Sequence, residues 1–166
     1  PGRVAALRAE LGLGPDRPVV TAGSTRPGEE KILLDVFSRL KTDFPDLHLI
    51  MAPRHVGRSD EVERLIRGRG FSLARRGGPR RGPGGPVDVT LVDVMGELFF
   101  LYGLARAAFC GASLVPLGGQ NIREPAAWGK PVVYGPSMED FSEARDLLEA
   151  AGAGRTVNNP GQLYEA

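Results

Sequence analysis

The sequence predicts an α/β domain: a doubly wound parallel sheet of about six short strands with helices on both faces. Three observations predict it. Short β-rich runs alternate with amphipathic helical stretches along the chain, the rhythm of successive β-α-β units. The run at residues 47–51, Leu-His-Leu-Ile-Met, lacks the strict alternation of a one-sided strand, as expected of one buried on both faces of a parallel sheet. The chain of 166 residues, 42% of them apolar, is of a size to form one domain around its own core.

Composition narrows the function classes. A net charge of +1 gives no ground for a general nucleic-acid or membrane-surface partner. No apolar run is long enough to span a bilayer. The two histidines and single cysteine lie too far apart in sequence to suggest a zinc site, and Cys110, in an apolar run, reads as a small buried core residue. The chain has neither a G-x-x-x-x-G-K-[ST] phosphate loop nor a G-x-G-x-x-G turn, which disfavours an NTPase or a dinucleotide dehydrogenase, and 111–115 lacks the second glycine of a nucleophile elbow.

Taken in order, residues 4–11 read as a helix without a cap, and 161–166 as a helix one turn long; both are read as cut ends, so a single domain excised from a longer two-domain chain is expected. Residues 19–23 form the first strand. Ser24, Thr25, Arg26, Pro27, Gly28 and the acidic pair Glu29-Glu30 then lead into a helix whose Ile32, Leu33, Val36, Phe37 and Leu40 make one stripe. This strand-to-helix junction offers the Ser24 and Thr25 hydroxyls either to an anion or to plain capping. The strand at 47–51 runs into Ala52-Pro53-Arg54-His55. Arg54, a planar donor fork at the carboxyl end of a strand, suits phosphate or carboxylate, whereas His55 reads as a loop residue.

Asp60 and Glu63 form a capping-box-like pair on the next helix, whose Val62, Leu65 and Ile66 face the core. A strand at 71–74 precedes the arginine-, glycine- and proline-rich segment 75–86, which reads as a disordered surface loop. The strand at 87–92 follows. Asp93 then reads as the N-cap of a helix running through Tyr102, with Phe99, Leu101 and Leu104 in the core. After the strand at 107–110 comes a central stretch, then strands at 131–135 and 153–157 around a helix that turns Ala144, Leu147, Leu148 and Ala151 inward.

The central stretch, residues 111–131, reads G-A-S-L-V-P-L-G-G-Q-N-I-R-E-P-A-A-W-G-K-P. Gly118 and Gly119 can adopt backbone angles closed to other residues, so that successive N–H groups turn toward one point. Asn121 suits the N-cap of a helix over about 122–128, with Pro125 in its first turn. Glu124 would repel a bare phosphate but could accept hydroxyls of a sugar beside one. The pattern therefore suggests a nucleotide monophosphate.

This stretch closely resembles the carboxy-terminal half of the 3-deoxy-D-manno-octulosonic acid (Kdo) transferases, and three further motifs extend the resemblance over residues 19–157: A-G-S-T-x-x-G-E-E at 22–30, A-P-R-H-x-x-R at 52–58 and D-V-M-G-E-L at 93–98. In the last, Val94 replaces the family's usual Thr, and Gln120 stands where the family usually has His. The resemblance implies a Rossmann-like fold, the donor-binding domain of a GT-B glycosyltransferase. It also implies an inverting transfer of Kdo from CMP-Kdo to a lipid A precursor in lipopolysaccharide biosynthesis. Ser24, Arg54, the Gly118 and Gly119 backbone and the helix starting at Asn121 would take up the donor phosphate, and Ser113 would also belong to the donor site. Glu124 would hold the ribose, and Met95, Gly96 and Glu97 would face cytosine. No catalytic base, metal or other cofactor is implied within these residues. The base and the acceptor would belong to an amino-terminal half, and the full-length protein to the cytoplasmic face of the bacterial inner membrane. A GT-B transferase or epimerase acting on a UDP-sugar, and a non-catalytic nucleotide-binding module, are the competing readings.

Overall fold

The computed structural model describes residues 2–78 and 86–166. Its centre is a sheet of seven parallel strands: β1 (Val19–Thr25), β2 (His48–Pro53), β3 (Leu73–Arg75), β4 (Val89–Leu91), β5 (Ala107–Cys110), β6 (Val132–Tyr134) and β7 (Gly154–Thr156), in the order β3-β4-β2-β1-β5-β6-β7. The count of about six falls one short, although each of the seven runs read as strands contributes one; the two edge runs pair as Leu73 with Val89 and Gly154 with Val132.

All six residues of β2 are buried, as the lack of alternation predicts. Leu49 and Met51 meet Leu33, Leu34 and Phe37 of α2 (Glu29–Asp43) and Val62 and Ile66 of α3 (Ser59–Arg67). Ile50 and Ala52 point the other way, toward Leu7 of α1 (Gly2–Glu10) and Leu101 of α4 (Leu98–Tyr102). This period-two division places helices on both faces. On the second face a further cluster joins Tyr102, Cys110, Ile122, Tyr134 and Met138 with Ala144 of α6 (Ser142–Ala150). His48 opens β2 fully buried and neutral: its Nδ1 lies 3.0 Å from the Val87 carbonyl and its Nε2 3.0 Å from Thr90 Oγ1.

Four local expectations are corrected. Asp60 and Glu63 do not form a capping box; both lie inside α3 and clamp the Arg75 guanidinium, Glu63 at 2.6 Å, because an arginine fork offers stronger donors than a helix end already in water. Asp93 is not an N-cap, since α4 begins only at Leu98, after Gly96 has taken φ +86°; its Oδ1 instead accepts the Gly77 N–H at 2.6 Å. On α6, Ala144 is buried, but Leu147 is 65% exposed and Ala151 is exposed as well, because α6 lies along the edge strand and has less sheet to cover. Finally, α5 spans only Arg123–Ala126, and the chain turns from Ala127 to Gly129, where φ is +64°.

Of the loop expected at 75–86, residues 79–85 lie outside the described residues. Arg75 and Arg76, at its start, are tied down by ion pairs. At the chain's other end, α7 (Pro160–Glu165) is capped by Asn159, which accepts from the Gln162 N–H at 2.9 Å. It packs on α2 with the Tyr164 ring 4.1 Å from the Arg39 guanidinium carbon.

Candidate functional site

Because α2 leaves β1 toward one face while the chain after β5 leaves toward the other, a crevice opens at the carboxyl ends of these two neighbouring strands. Local strain shapes it. The β1–β2 register slips between Gly23 and Thr25, and Ser24 takes φ +55°, a combination that turns its side chain out of the ladder. Gly111 is obligatory beside it: a Cβ there would lie 2.4 Å from the Ser24 carbonyl oxygen.

The resulting cleft has a volume of about 380 Å³ and is walled from the ends of four strands. Ser24 comes from β1; Ala52 and Pro53 from β2 and Arg54 from just past its end; Val92, Val94, Met95 and Gly96 from the segment after β4; Gln120 and Asn121 from the β5–α5 connection, and Glu124 from α5 itself. Leu98, Phe99 and Tyr102 of α4 add an apolar wall.

Its electrostatics are uneven. The exposed Arg54 guanidinium has neither an ion pair nor a hydrogen bond among the described residues, so its five N–H donors face solvent and cleft. Nearby cations are committed: Arg58 bonds Glu30 at 2.8 Å and Glu61 at 2.7 Å, and Arg26 bonds His55 Nε2 at 2.8 Å. On the Asn121 side, Oδ1 accepts the Arg123 N–H at 3.2 Å and Nδ2 donates to Glu124 Oε1 at 3.4 Å, which leaves Glu124 acceptor capacity in the cleft. Burial pushes the Tyr102 phenol well above its ordinary range, so it stays neutral beside the Cys110 sulfur 3.6 Å away.

Six of the residues singled out from sequence therefore share this cleft: Ser24, Arg54, Met95, Gly96, Asn121 and Glu124. Four do not line it. Glu97 turns its carboxylate away to Arg76 at 2.6 Å and Arg3 at 2.7 Å, and the Arg76 guanidinium holds it below the usual carboxylate range. Ser113 is fully buried, its Oγ donating to the Cys110 carbonyl at 2.6 Å and accepting from the Gly135 N–H at 2.8 Å. Gly118 and Gly119 have the positive φ expected, +79° and +84°, but their N–H groups are already spent, on Ser137 Oγ at 2.9 Å and the Ala112 carbonyl at 2.8 Å. They turn the chain and do not offer it to an anion.

Tyr102, Phe99 and Gln120 are wall residues that residue-level reasoning did not assign. Phe99, expected in the core, is 40% exposed and lines the cleft, its ring tilted against that of Trp128 with the centroids 5.4 Å apart.

No family model matches the chain. Among curated proteins it is similar to the 3-deoxy-D-manno-octulosonic acid transferases of Haemophilus influenzae (39% identical over 151 residues, 90% of this chain and 35% of the relative) and of Aquifex aeolicus (35% over 144 residues, 87% of this chain and 39% of the relative). Among solved structures, the C-terminal CMP-Kdo binding domain of WaaA from Acinetobacter baumannii superposes with a TM-score of 0.88 at 31% identity, covering 99% of this chain and 84% of that domain.

The chain belongs to the Kdo transferase family. It spans between a third and two fifths of the length of the curated Kdo transferases it matches first. The E. coli ADP-heptose heptosyltransferase II, 11% identical with a TM-score of 0.62 over 99% of this chain, shares the fold. The cleft of this Kdo transferase family member thus lies in a segment that has a close structural counterpart throughout.

Proposed function

We propose that this chain is the donor-binding half of an inverting glycosyltransferase that moves Kdo from CMP-Kdo to a lipid A precursor. The observation that carries the proposal is the unpaired Arg54 guanidinium sharing one cleft with Glu124 and Asn121, in a chain similar over nearly its whole length to a domain that binds CMP-Kdo.

In this reading Arg54 and the Ser24 hydroxyl take the phosphate of CMP, and charge relief on that phosphate makes it a better leaving group. Glu124 and Asn121 accept and donate to the ribose hydroxyls. The turn at Met95 and Gly96 faces the base, with Phe99 and Tyr102 supplying an apolar edge for its ring. Arg54 supplies the countercharge and the Ser24 hydroxyl a neutral donor, and transfer without a resident metal ion is part of the proposal; no cluster of three or more metal-ligating side chains occurs among the described residues. The base that activates the acceptor hydroxyl, the lipid acceptor and the attachment to the cytoplasmic face of the inner membrane are assigned to the rest of the polypeptide. No helix among the described residues is long and apolar enough to cross a membrane.

Calorimetric titration with CMP, UMP and UDP tests the reading. CMP is expected to bind in preference to both uridine nucleotides, and Arg54→Ala and Glu124→Ala are each expected to weaken it. A preference for a uridine nucleotide would replace the donor with a UDP-sugar, and CMP binding that ignores both substitutions would move the site elsewhere.

A further inference from the structure

We propose that Glu29 is a positioning residue for this cleft: its carboxylate acts as a permanent internal anion that seizes the β5–α5 loop by its backbone and so sets where Gln120, Asn121 and Glu124 stand. What the cleft holds rests on the nucleotide reading above; the role of Glu29 rests on geometry of its own.

Glu29 is fully buried at the start of α2. One carboxylate oxygen, Oε1, accepts the Ser113 and Leu114 N–H groups, each at 2.9 Å; the other, Oε2, accepts those of Ala112 at 2.8 Å and Arg26 at 2.9 Å. Four backbone donors thus converge on one carboxylate, with no arginine or lysine paired to it among the described residues. Glu30, its equally buried neighbour, is held differently, by Arg58 and the Thr25 hydroxyl. Three successive N–H groups turned inward form an anion nest, and Ala112 accepts φ +55° as part of it. Here the anion is supplied by the protein itself, so a donor phosphate has to find its countercharge elsewhere, on Arg54.

The chemistry of the site demands a carboxylate. Both oxygens face N–H donors, so a glutamine of the same shape would press its own N–H₂ against two of them. An aspartate, one methylene shorter, would withdraw the charge from the loop. The constraint reaches the cleft in two steps: the Ala112 carbonyl accepts the Gly119 N–H at 2.8 Å, and Gly119 leads directly to Gln120, Asn121 and Glu124. From the far side the loop is closed by Ser137, whose N–H bonds the Ser113 carbonyl at 3.0 Å and whose Oγ accepts from Gly118. Glu29 thus ties α2 into a hydrogen-bonded assembly built largely by the segments after β5 and β6.

The test uses Glu29→Gln, alone and combined with Arg54→Ala or Glu124→Ala, with CMP as probe and amide exchange followed by NMR. The Ala112, Ser113 and Leu114 amides are expected to exchange about tenfold faster or more in Glu29→Gln. CMP affinity should fall about fivefold, and Glu124→Ala should cost little more on that background, whereas Arg54→Ala should cost the same factor on both, the signature of coupling to one wall only. Affinity unchanged in Glu29→Gln, or Glu124→Ala keeping its full effect there, would overturn the proposal. If the unmodified chain binds no CMP, the nucleotide reading fails, and Glu29 is judged on the Gln120, Asn121 and Glu124 amide resonances: displaced in Glu29→Gln if the proposal holds, unmoved if it does not. Should Glu29→Gln fail to fold, Glu29→Asp takes its place with the same directions and smaller factors.

Discussion

A Cβ atom on Gly23 would lie 1.9 Å from the hydroxyl oxygen of Tyr102, so the central strand of the sheet is bare at this point to let a cleft-wall aromatic lie across it. Gly23→Ala is therefore expected to destabilise the fold by about 1–3 kcal/mol, the usual cost of overpacking, and to weaken nucleotide binding by displacing Tyr102. Tyr102→Phe, which removes the colliding oxygen, should recover part of the loss when combined with it. Urea midpoints of the three variants check this.

Arg54 should behave as a ligand rather than a structural cation. Arg54→Ala is expected to leave the urea midpoint nearly unchanged while lowering CMP affinity by roughly 10–100-fold, the range for a charge-assisted hydrogen bond. Arg54→Lys should recover only part of it, because a point charge cannot reproduce the fork. Calorimetry beside denaturation separates the two effects.

His48 predicts a pH dependence of stability. Burial pushes its folded-state pKa down to about 4, below an ordinary value of 6.5. As pH falls from 6.5 toward 4 the unfolded chain takes up a proton that the native state refuses, so stability is lost on acidification, by up to roughly 3 kcal/mol. Urea unfolding between pH 7 and pH 4, compared with His48→Gln, should show a steeper decline for the unmodified chain.

Cys110 should be inert in the native state. It is fully buried, and burial pushes its thiol up to about 12, far from any thiolate at neutral pH. Iodoacetamide is expected to label it only at the rate of global unfolding, and in urea within minutes. Mass spectrometry of the native protein reads the result directly.

Glu97 gives the contrasting case to Arg54. With Arg3, Glu10 and Arg76 it forms a partly exposed ring of ion pairs. Glu97→Gln should cost about 1 kcal/mol or less, and that small loss should shrink further in high salt. CMP affinity should change little, since the carboxylate faces away from the cleft.

Much of this architecture was legible because its signals are local. The unbroken apolar run at 47–51 marks a strand buried on both faces, and the alternation of strand and helix fixes a doubly wound sheet. Arg54 was legible as a cleft residue because it follows the carboxyl end of a strand, and Glu124 because it stands in the first turn of the helix after Asn121. What sequence left hidden depends on competition between partners. Asp93 and Asp60 look like caps until Gly77 and Arg75 come within reach from distant positions. Gly118 and Gly119 look like free donors until Ser137 and Ala112 claim their N–H groups. Glu29 reads in sequence as half of an acidic pair suited to a helix first turn, and only the fold carries it into the β5–α5 loop.

The strand order has a consequence for the making of the chain. On emerging from the ribosome, β1 can pair with β2 as soon as position 53 is free, but its other neighbour, β5, ends only at position 110. At typical synthesis rates the open edge of β1 waits roughly 3–11 s, far longer than a local hairpin would need to form. A nascent chain stalled between β2 and β5 therefore offers a strand template that the finished domain conceals, and this interval is when a chaperone has most to protect.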